Sequence, residues 1–545
     1  MSTPSQAQVT LIENAVVWTG RQIPGTADYA VTDAIALVGD RVLALGQSAR
    51  SMAADHVIDA QGGFICHAFG DGHVHSIFGG LEQQFAPVRG HDDPQGIARA
   101  VGEWARAHPE VPWIRGEGFD HTLAPSGVFH AAWLDAEVAD RPVVLRATDY
   151  HTVWVNSAAL RLAGYERGVT QPHDGEIVCD ESGDPTGTLR EWGAWRPVYD
   201  LMPEVPVEMR MAAIEHAARS FASSGLAWVQ DAWVERADVG TWIEASTRGL
   251  LTFRADLALW ADPNSWRDQL AGFSEDRARV AAHGSPALSA NTVKFFADGV
   301  IESGTGALLE PYCDCPHSKG MPNWDPAELA MAVTAIDALG FNAHIHAIGD
   351  GAARMALDAI EAAIIANGPR DRRPVIVHLQ LVDDADVPRF AALGVVANFE
   401  PYWAKFDSWQ TELTAPRLGE LRTSRQYLMK TLVDSGATVS FGSDWPVTTY
   451  APLAGIQVAV NRRMSADPAD EPWLPGERVS VEQALAAYTS GVGWQTAQLD
   501  EGLLRPGGRA DVVWLATDPR TVDPMAIEEI PVLGTWSSGV RVHGG

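Results

Sequence analysis

Phe64-Ile-Cys-His-Ala-Phe-Gly-Asp-Gly-His-Val-His75 is an apolar run that ends in two histidines two residues apart. Successive side chains of a β-strand point to opposite faces, so His73 and His75 share one face, about 7 Å apart at the backbone. Two imidazoles placed in this way can bind one metal ion. On its own the pattern is weak, because two histidines at a solvated strand end have the same spacing. The run predicts a first strand with functional groups at its carboxyl end.

Seven further strand-like runs follow, and Ala- and Leu-rich segments with helical period separate many of them. Alternation of this kind is typical of a parallel α/β fold, and eight such units predict a (β/α)8 TIM barrel. The further runs are Gly225 to Asp231, Thr252 to Leu259, Asn291 to Ala297, Phe341 to His346, Val375 to Leu379, Val395 to Phe399 and Thr438 to Asp444.

Two regions lie outside the regular alternation. The gap between the first two strands is too long for one crossover helix, so it predicts an inserted subdomain, assigned to residues 85–224, that covers the barrel mouth. Short strand-like runs near both termini, split by Gly-Asp turns, predict a small β-sandwich domain made of residues 1–66 and 503–545. The barrel is assigned to residues 67–502.

Charge and composition exclude several classes of protein. The chain has 40 Lys and Arg against 70 Asp and Glu, a net charge of −30, which argues against a nucleic-acid partner. No apolar stretch reaches about 18 residues, and the start lacks a basic n-region, so neither a membrane span nor a signal peptide is expected. Four cysteines suit a reducing compartment. The sequence thus predicts a cytoplasmic protein with a small-molecule substrate, and it leaves a homo-oligomer open.

Lys294 is unusual because only four of the 40 cationic residues are lysines. The other three suit a solvated surface, whereas Lys294 lies inside an apolar strand-like run. Burial and nearby divalent cations would both favour its neutral amine. A neutral lysine can add carbon dioxide to give an anionic carbamate, which can bridge two metals. The alternative is a buried stem whose amino group reaches a carboxylate such as that of Asp298.

The remaining candidate ligands also follow strands. His344 and His346 end the fifth strand, His378 ends the sixth, and Asp444 ends the eighth. Barrel active sites form at the carboxyl ends of the strands, so these side chains are expected to meet. Imidazoles with one carboxylate suit zinc, with Mn, Fe or Co as alternatives. As a set, these residues predict one or two divalent metal ions.

This pattern resembles the amidohydrolase superfamily, in its branch of YtcJ-like proteins and N-substituted formamide deformylases. The resemblance covers nearly the whole chain and is carried by Gly70-Asp-Gly-His-Val-His75, Asp149-Tyr-His-Thr-Val-Trp-Val-Asn-Ser157, Gly183-Asp-Pro-Thr-Gly187, Val293-Lys-Phe-Phe-Ala-Asp-Gly299, His346-Ala-Ile-Gly-Asp350 and Gly442-Ser-Asp-Trp-Pro446. It implies that one metal is bound by His73, His75 and Asp444, and the second by His346 and His378. It further implies that Lys294, carboxylated at N6, bridges the two metals. His344 is then a supporting or packing residue.

The resemblance implies an enzyme that hydrolyses carbon–nitrogen bonds other than peptide bonds, in an N-substituted amide or formamide. Metals that share a water make hydroxide available near neutral pH. Asp444 would take the proton of that water and return it to the leaving nitrogen, and His151 would assist the carbonyl oxygen. For His151 a buried structural role is the alternative. A hydrolase of esters, lactones or carbamates is the second hypothesis, and a non-catalytic regulatory protein that binds a small molecule is the third.

Three residues are predicted to contact the substrate. Trp403 follows the seventh strand and Trp445 follows Asp444, and aromatic side chains at a barrel mouth favour a hydrophobic or aromatic substrate group. Core packing is the alternative for both. Glu302 lies just after the strand that contains Lys294. Other members of the branch often have a Ser-Arg pair at this position, so the substrate contacts of this chain are expected to differ from theirs here.

Overall fold

The computed structural model describes residues 8–23, 26, 28–467, 469–496 and 502–544. The first seven residues, on which the expectation of no signal peptide partly rests, lie outside this range. In chain order the strands are β1 (Val9–Gln22), β2 (Tyr29–Val38), β3 (Arg41–Leu45), β4 (His56–Asp59), β5 (Phe64–His67), β6 (Phe69–Val74), β7 (Ile114–Phe119), β8 (Val143–Ala147), β9 (Thr152–Val155), β10 (Glu176–Cys179), β11 (Pro185–Arg190), β12 (Leu226–Val234), β13 (Arg254–Trp260), β14 (Leu288–Phe296), β15 (Asn342–Ala347), β16 (Val375–His378), β17 (Val396–Phe399), β18 (Thr438–Phe441), β19 (Val512–Leu515), β20 (Val532–Ser537) and β21 (Val540–His543).

The α-helices of the described residues separate these strands. None of them is both long enough and apolar enough to cross a membrane. They are α1 (Gly46–Arg50), α2 (Ser76–Glu82), α3 (Pro94–Ala107), α4 (Ala131–Asp135), α5 (Ser157–Leu162), α6 (Trp192–Tyr199), α7 (Val207–Ser223), α8 (Arg236–Thr247), α9 (Trp266–His283), α10 (Pro326–Ala338), α11 (Asp350–Asn367), α12 (Val387–Leu393), α13 (Ala415–Thr423), α14 (Met429–Asp434), α15 (Pro452–Asn461), α16 (Val481–Ala486) and α17 (Val492–Gln495).

Eight parallel strands form the predicted barrel, in the order β6, β12, β13, β14, β15, β16, β17, β18. The gap between β18 and β6 is bridged just beyond the two strands. There the Asp444 N–H donates to the carbonyl oxygen of His73, and the His75 N–H donates to that of Trp445, both at 2.8 Å. All nine residues of β12 are buried, as expected for a parallel strand covered on both faces. The (β/α)8 prediction is confirmed.

The run from Phe64 to His75, predicted as one strand, is two strands in two different sheets. β5 pairs with β19, whereas β6 pairs with β12. The change occurs at Ala68, whose N–H donates to the carbonyl oxygen of Asp511, while the next N–H, of Phe69, donates to that of Gly225. The prediction of a single strand is therefore wrong. An unbroken apolar run cannot reveal this change, because both strands are buried.

Strands from both ends of the chain share one eight-stranded sheet. Its hydrogen-bonded path is β21, β20, β19, β5, β1, β2, β3, with β4 paired to β1. The sheet curves back on itself, because the N–H of Val42 in β3 donates to the carbonyl oxygen of Gly508, just before β19. Val42 also shares a hydrophobic core with Trp536 of β20. The two termini therefore build a common β layer, as predicted.

The segment between β6 and β12 contains a separate five-stranded sheet, ordered β10, β11, β9, β8, β7. Two hydrophobic cores lie on its strands, with Trp154 in one and Trp195 in the other. Helix α7 falls within the range 85–224 assigned to the insertion, yet its Ile214 and Phe221 pack in the core of the barrel. The segment thus ends with a barrel helix.

Candidate metal centre and cavity

Three of the predicted ligands meet where β6 and β18 end. One potential ligand atom each of His73, His75 and Asp444 lies within 4.8 Å of the others, and all three residues are buried. The Asp444 Oδ1 atom is 2.9 Å from His75 Nε2 and 3.3 Å from His73 Nε2. Asp444 has a φ of 51°, which turns the chain sharply after β18. These three side chains could hold one metal ion.

The imidazoles that end β15 and β16 complete the cluster. The ring centroid of His378 is 4.5 Å from that of His346 and 4.8 Å from that of His73. His346 Nε2 lies 3.0 Å from the Gly299 carbonyl oxygen, which can only accept, so Nε2 carries the proton and Nδ1 is left with a free lone pair. Burial, the largest of several causes, holds the pKa of both histidines well below the ordinary value. Both are therefore neutral and able to bind a cation.

Glu400 is a functional candidate that the sequence reasoning missed. It follows β17 directly and is fully buried, and its Oε2 lies 2.8 Å from Nδ1 of His378. The carboxylate accepts a hydrogen bond from Nδ1–H of His378, which leaves Nε2 of the same ring with a free lone pair. Its Oε1 has no hydrogen-bond partner among the described residues. In the sequence, the only feature that could have indicated Glu400 is its position directly after the predicted seventh strand.

His344 supports His73. Its Nε2 lies 2.7 Å from His73 Nδ1, so one of these two ring nitrogens must donate to the other. With the proton on His73 Nδ1, the Nε2 atom of His73 is free to face Asp444. The structure thus places His344 behind a predicted ligand, in line with the supporting role expected for it.

Lys294 has no hydrogen-bond partner in the part of the chain that the structure describes. It is fully buried, and its Nζ lies 4.4 Å from the ring centroid of Phe296. Burial lowers the pKa of its amino group to about 7. The alternative contact with Asp298 is wrong, because that carboxylate instead accepts the backbone N–H groups of Ile348, Gly349 and Ala307 at 2.7 to 3.0 Å.

The donor set fits a divalent metal. Five buried polar atoms of the cluster lack a hydrogen-bond partner within the described ranges, and a buried polar atom left unpaired destabilises a protein by about 1–3 kcal/mol. Neutral imidazoles, one or two carboxylates and a lysine whose pKa is lowered by burial match the preferences of Zn²⁺ and its borderline neighbours. The five atoms are His75 Nδ1, Lys294 Nζ, His344 Nδ1, Glu400 Oε1 and Asp444 Oδ1.

A cavity of about 360 Å³ opens above the cluster. His73, His75, His346, His378 and Asp444 form part of its wall, whereas Lys294 is not among the lining residues. Eight of the residues that line the cavity are aromatic, among them the predicted Trp403. The aromatic lining residues are Tyr150, Trp192, Trp233, Phe296, Tyr402, Trp403, Trp409 and Tyr427.

The structure brings two of the three predicted substrate contacts into the cavity. Glu302 lines it, and its Oε1 accepts the hydroxyl of Thr414 at 2.5 Å. Trp403 also lines it, and its ring stacks on that of His378 with centroids 5.2 Å apart. Trp445 lies elsewhere. Its indole covers Gly79, where a β-carbon would come within 2.6 Å of the ring, and packs against Phe221.

His151 lines the same cavity, and its ring centroid is 5.2 Å from that of His346. Its Nδ1 lies 2.8 Å from Oε2 of Glu191. Burial opposes protonation, but the Glu191 carboxylate outweighs it and raises the pKa of His151 to about 9. His151 is therefore a cation at neutral pH that faces the cavity. Glu191 was not among the residues that the sequence singled out.

Known proteins resemble this chain over most of its length. Residues 56–543 match the family described as the amidohydrolase family. The Arabidopsis thaliana protein LONG AFTER FAR-RED 3 is 30% identical over 98% of this chain and 92% of its own length. Bacillus subtilis YtcJ is 28% identical over 89% and 90% of the two chains, and the N-substituted formamide deformylase of Arthrobacter pascens is 26% identical over 93% and 92%. The crystal structure of an uncharacterized metal-dependent hydrolase from Pyrococcus furiosus superposes with a TM-score of 0.71, at 26% identity over 94% of this chain and all of that one.

Proposed function

Because the chain belongs to the amidohydrolase family, we propose that it is a metal-dependent hydrolase that cleaves the C–N bond of an N-substituted amide or formamide. The observation that carries the proposal is the buried cluster of neutral imidazoles, carboxylates and an unpartnered lysine at the wall of an aromatic cavity. The named activity of the Arthrobacter relative supports an amide-type substrate.

The metal would be held by the residues that meet at the strand ends. His73, His75 and Asp444 form one candidate group, and His346 and His378 form the other. Lys294, carboxylated at N6, is the proposed bridge between them. A bound divalent ion supplies a Lewis acid and lowers the pKa of water toward neutrality. We favour zinc on the chemistry of the donor set, with Mn, Fe or Co as alternatives.

Asp444 is proposed to move the proton of the attacking water. Its Oδ1 atom faces both histidines of β6, and the residue lines the cavity. A carboxylate in this position can accept a proton from water and donate it to the leaving nitrogen. An amide needs this second transfer, because an unprotonated amine is a poor leaving group.

His151 is proposed to stabilise the carbonyl oxygen as negative charge develops on it. The pKa of about 9 that Glu191 imposes keeps its imidazole protonated at neutral pH. A cationic donor that is mostly buried, as His151 is, stabilises an oxyanion more strongly than it does in bulk solvent. His151 contacts the ring of His346, so the donor lies beside the candidate metal site.

The cavity wall supports a substrate with a hydrophobic or aromatic group. Trp403 offers a ring face beside His378, and Glu302 offers a carboxylate that Thr414 and Gln380 hold in place. We propose that Trp403 packs on the apolar group, while Glu302 accepts a hydrogen bond from an N–H or O–H group of the substrate. Trp445, which lies outside the cavity, is not part of this proposal.

The test is amine release by purified, metal-replete protein from N-alkyl and N-aryl formamides and acetamides, each paired with the ester of the same acid. Amine release that is lost after chelation and restored by metal supports the proposal. Faster cleavage of the esters would favour an ester, lactone or carbamate hydrolase instead. Ligand binding without any turnover, in protein that contains no metal, would favour a non-catalytic binding protein.

A further inference from the structure

Glu191 adopts a backbone conformation that is unusual for its type. Its φ of 61° and ψ of 171° fall in a region populated almost only by glycine. A residue with a side chain there destabilises the fold by about 1–3 kcal/mol, so the conformation persists only where its surroundings require it. The residue is also almost completely buried, with 1% of its surface exposed. The contacts of its side chain indicate which surroundings hold Glu191 in this conformation.

The two carboxylate oxygens of Glu191 bind different parts of the molecule. Oε2 lies 2.8 Å from Nδ1 of His151, and the Glu191 N–H donates to the carbonyl oxygen of the same histidine at 3.0 Å. Oε1 accepts the hydroxyl of Thr305 at 2.5 Å. Glu191 thus contacts His151 through both its side chain and its backbone, and it contacts the barrel through Thr305.

These contacts fix the ring of His151. A carboxylate can only accept, so Nδ1 of His151 must carry a proton. Nε2 has no hydrogen-bond partner among the described residues, and the ring lines the cavity. Because the other nitrogen is bound to Glu191, the Nε2 edge of the ring is the one left free for a substrate.

The Thr305 contact ties the inserted segment to the loop that follows β14. Thr305 Oγ1 also accepts the N–H of Val300 at 2.9 Å, which fixes the turn between Val300 and Thr305. The same loop carries Glu302 and begins at Gly299, whose carbonyl oxygen binds His346. The carboxylate of Glu191 is therefore shared between the histidine that faces the cavity and the loop beside a candidate metal ligand.

We propose that Glu191 is a positioning residue, which holds His151 with Nδ1–H on its carboxylate and the Nε2 edge directed at the substrate, and which fixes the inserted segment to the barrel. The proposal rests on the proposed function in one respect, namely that His151 contacts the substrate carbonyl. A purely structural buried ion pair is the competing explanation.

The test compares Glu191→Gln with Glu176→Gln in metal-replete protein. Glutamine keeps the size of Glu191 but not its charge. Glu176 lies in the same insertion and pairs with Arg190 at 2.8 Å, and it makes no hydrogen bond to His151, so it is the matched control. Glu191→Gln is expected to lower kcat on the best amide by about 100-fold with KM within threefold, since a positioned proton donor contributes about that much or more. Glu176→Gln should leave both constants unchanged.

A second readout does not depend on activity. In ¹⁵N-histidine-labelled protein, the signals of His151 are identified by their loss in His151→Gln. The Nδ1 proton of His151 should be protected from exchange in the wild type and exposed to exchange in Glu191→Ala, and Thr305→Val should weaken its protection less. A normal kcat in Glu191→Gln, or an unaltered Nδ1 signal in Glu191→Ala, would overturn the proposal. If the wild type cleaves no amide while the Nδ1 signal behaves as expected, the proposed function fails and the positioning of His151 by Glu191 stands.

Discussion

The amino group of Lys294 is buried in the barrel without a hydrogen-bond partner in the described ranges, and burial lowers its pKa to about 7. A group of this kind does not stabilise the metal-free fold. Its placement becomes intelligible if the group reacts or binds a ligand, as in the proposed carbamate bridge. Function and stability therefore make opposite demands on this residue.

Lys294→Met separates the two demands. Methionine fills a similar volume without a polar atom, so the metal-free variant should be as stable as the wild type or more stable, by about 1–3 kcal/mol. Bound metal and amide hydrolysis should both be lost. Metal analysis and thermal unfolding after chelation check this expectation, with the exposed Lys430 changed to Met as the control. A Lys294→Met variant that keeps its metal and its activity would exclude the bridging role.

Lys294 also sets a pH dependence of the metal-free protein. Between its folded pKa of about 7 and the ordinary value of 10.5, the unfolded chain binds a proton that the folded chain lacks. The free energy of unfolding should therefore rise with pH across this window, by up to about 1.4 kcal/mol per pH unit from this group. Denaturant titrations from pH 7 to 10 measure the slope. Lys294→Met should lack this contribution, and equal slopes for the two proteins would contradict it.

At the scale of the elements, the turns after the strands decide which side chains reach the cavity. Trp403 follows β17 and lines the cavity beside His378, while Trp445 directly follows the candidate ligand Asp444 and packs on Gly79 instead. Trp445 lies beyond the end of β18, where Asp444 has a φ of 51° and the chain turns, so adjacency to a ligand in the sequence does not place a side chain in the site. This explains why the sequence pattern misassigned Trp445.

The two tryptophans should respond differently to substitution. Trp403→Ala is expected to raise KM for aromatic amides about tenfold or more, because an aromatic contact surface is lost, with little change in the melting temperature. Trp445→Ala leaves a core cavity and should destabilise the protein by about 3–5 kcal/mol with an unchanged KM in the folded fraction. Steady-state kinetics and thermal unfolding of both variants provide the measurement. The reverse pattern would show that the cavity is not the substrate site.

At the scale of the whole molecule, a buried ion pair joins the barrel to the terminal sheet. Arg254 lies on β13 and contacts Asp511, which directly precedes β19. Asp511 is fully buried, and it also accepts the N–H of Ser538 at 2.6 Å. The backbone carbonyl oxygen of Asp511 accepts a hydrogen bond from the N–H of Ala68, where the chain passes from β5 to β6. Asp511 thus connects three segments that are distant in the sequence.

Asp511→Ala should therefore weaken the whole molecule. Removing one partner of a buried pair leaves an uncompensated charge and destabilises a protein by about 3–5 kcal/mol. Calorimetry should show a lower melting temperature, still in one transition if the barrel and the terminal sheet unfold together. Asp184→Ala removes an exposed partner of Arg167 and should leave the melting temperature unchanged. Equal effects of the two substitutions would argue against a coupling role for Asp511.

The sequence by itself determined the eight barrel strands and the residues at their carboxyl ends. Strand period places His73 with His75, and parallel strands bring their ends to one edge, so His346, His378 and Asp444 could be expected to lie near them without coordinates. Lys294 was found from composition, since lysine is rare in this chain and one of its four copies lies in an apolar run.

Only the tertiary structure decided which groups support those residues. Glu400 and Glu191 carry no motif, and each matters only because its carboxylate meets a histidine from another element, 22 and 40 residues away. The division of the run from Phe64 to His75 between two sheets likewise depends on partners at Asp511 and Gly225. Local patterns record the period and burial of each segment, whereas hydrogen bonds between distant segments depend on how the chain packs, which no single segment encodes.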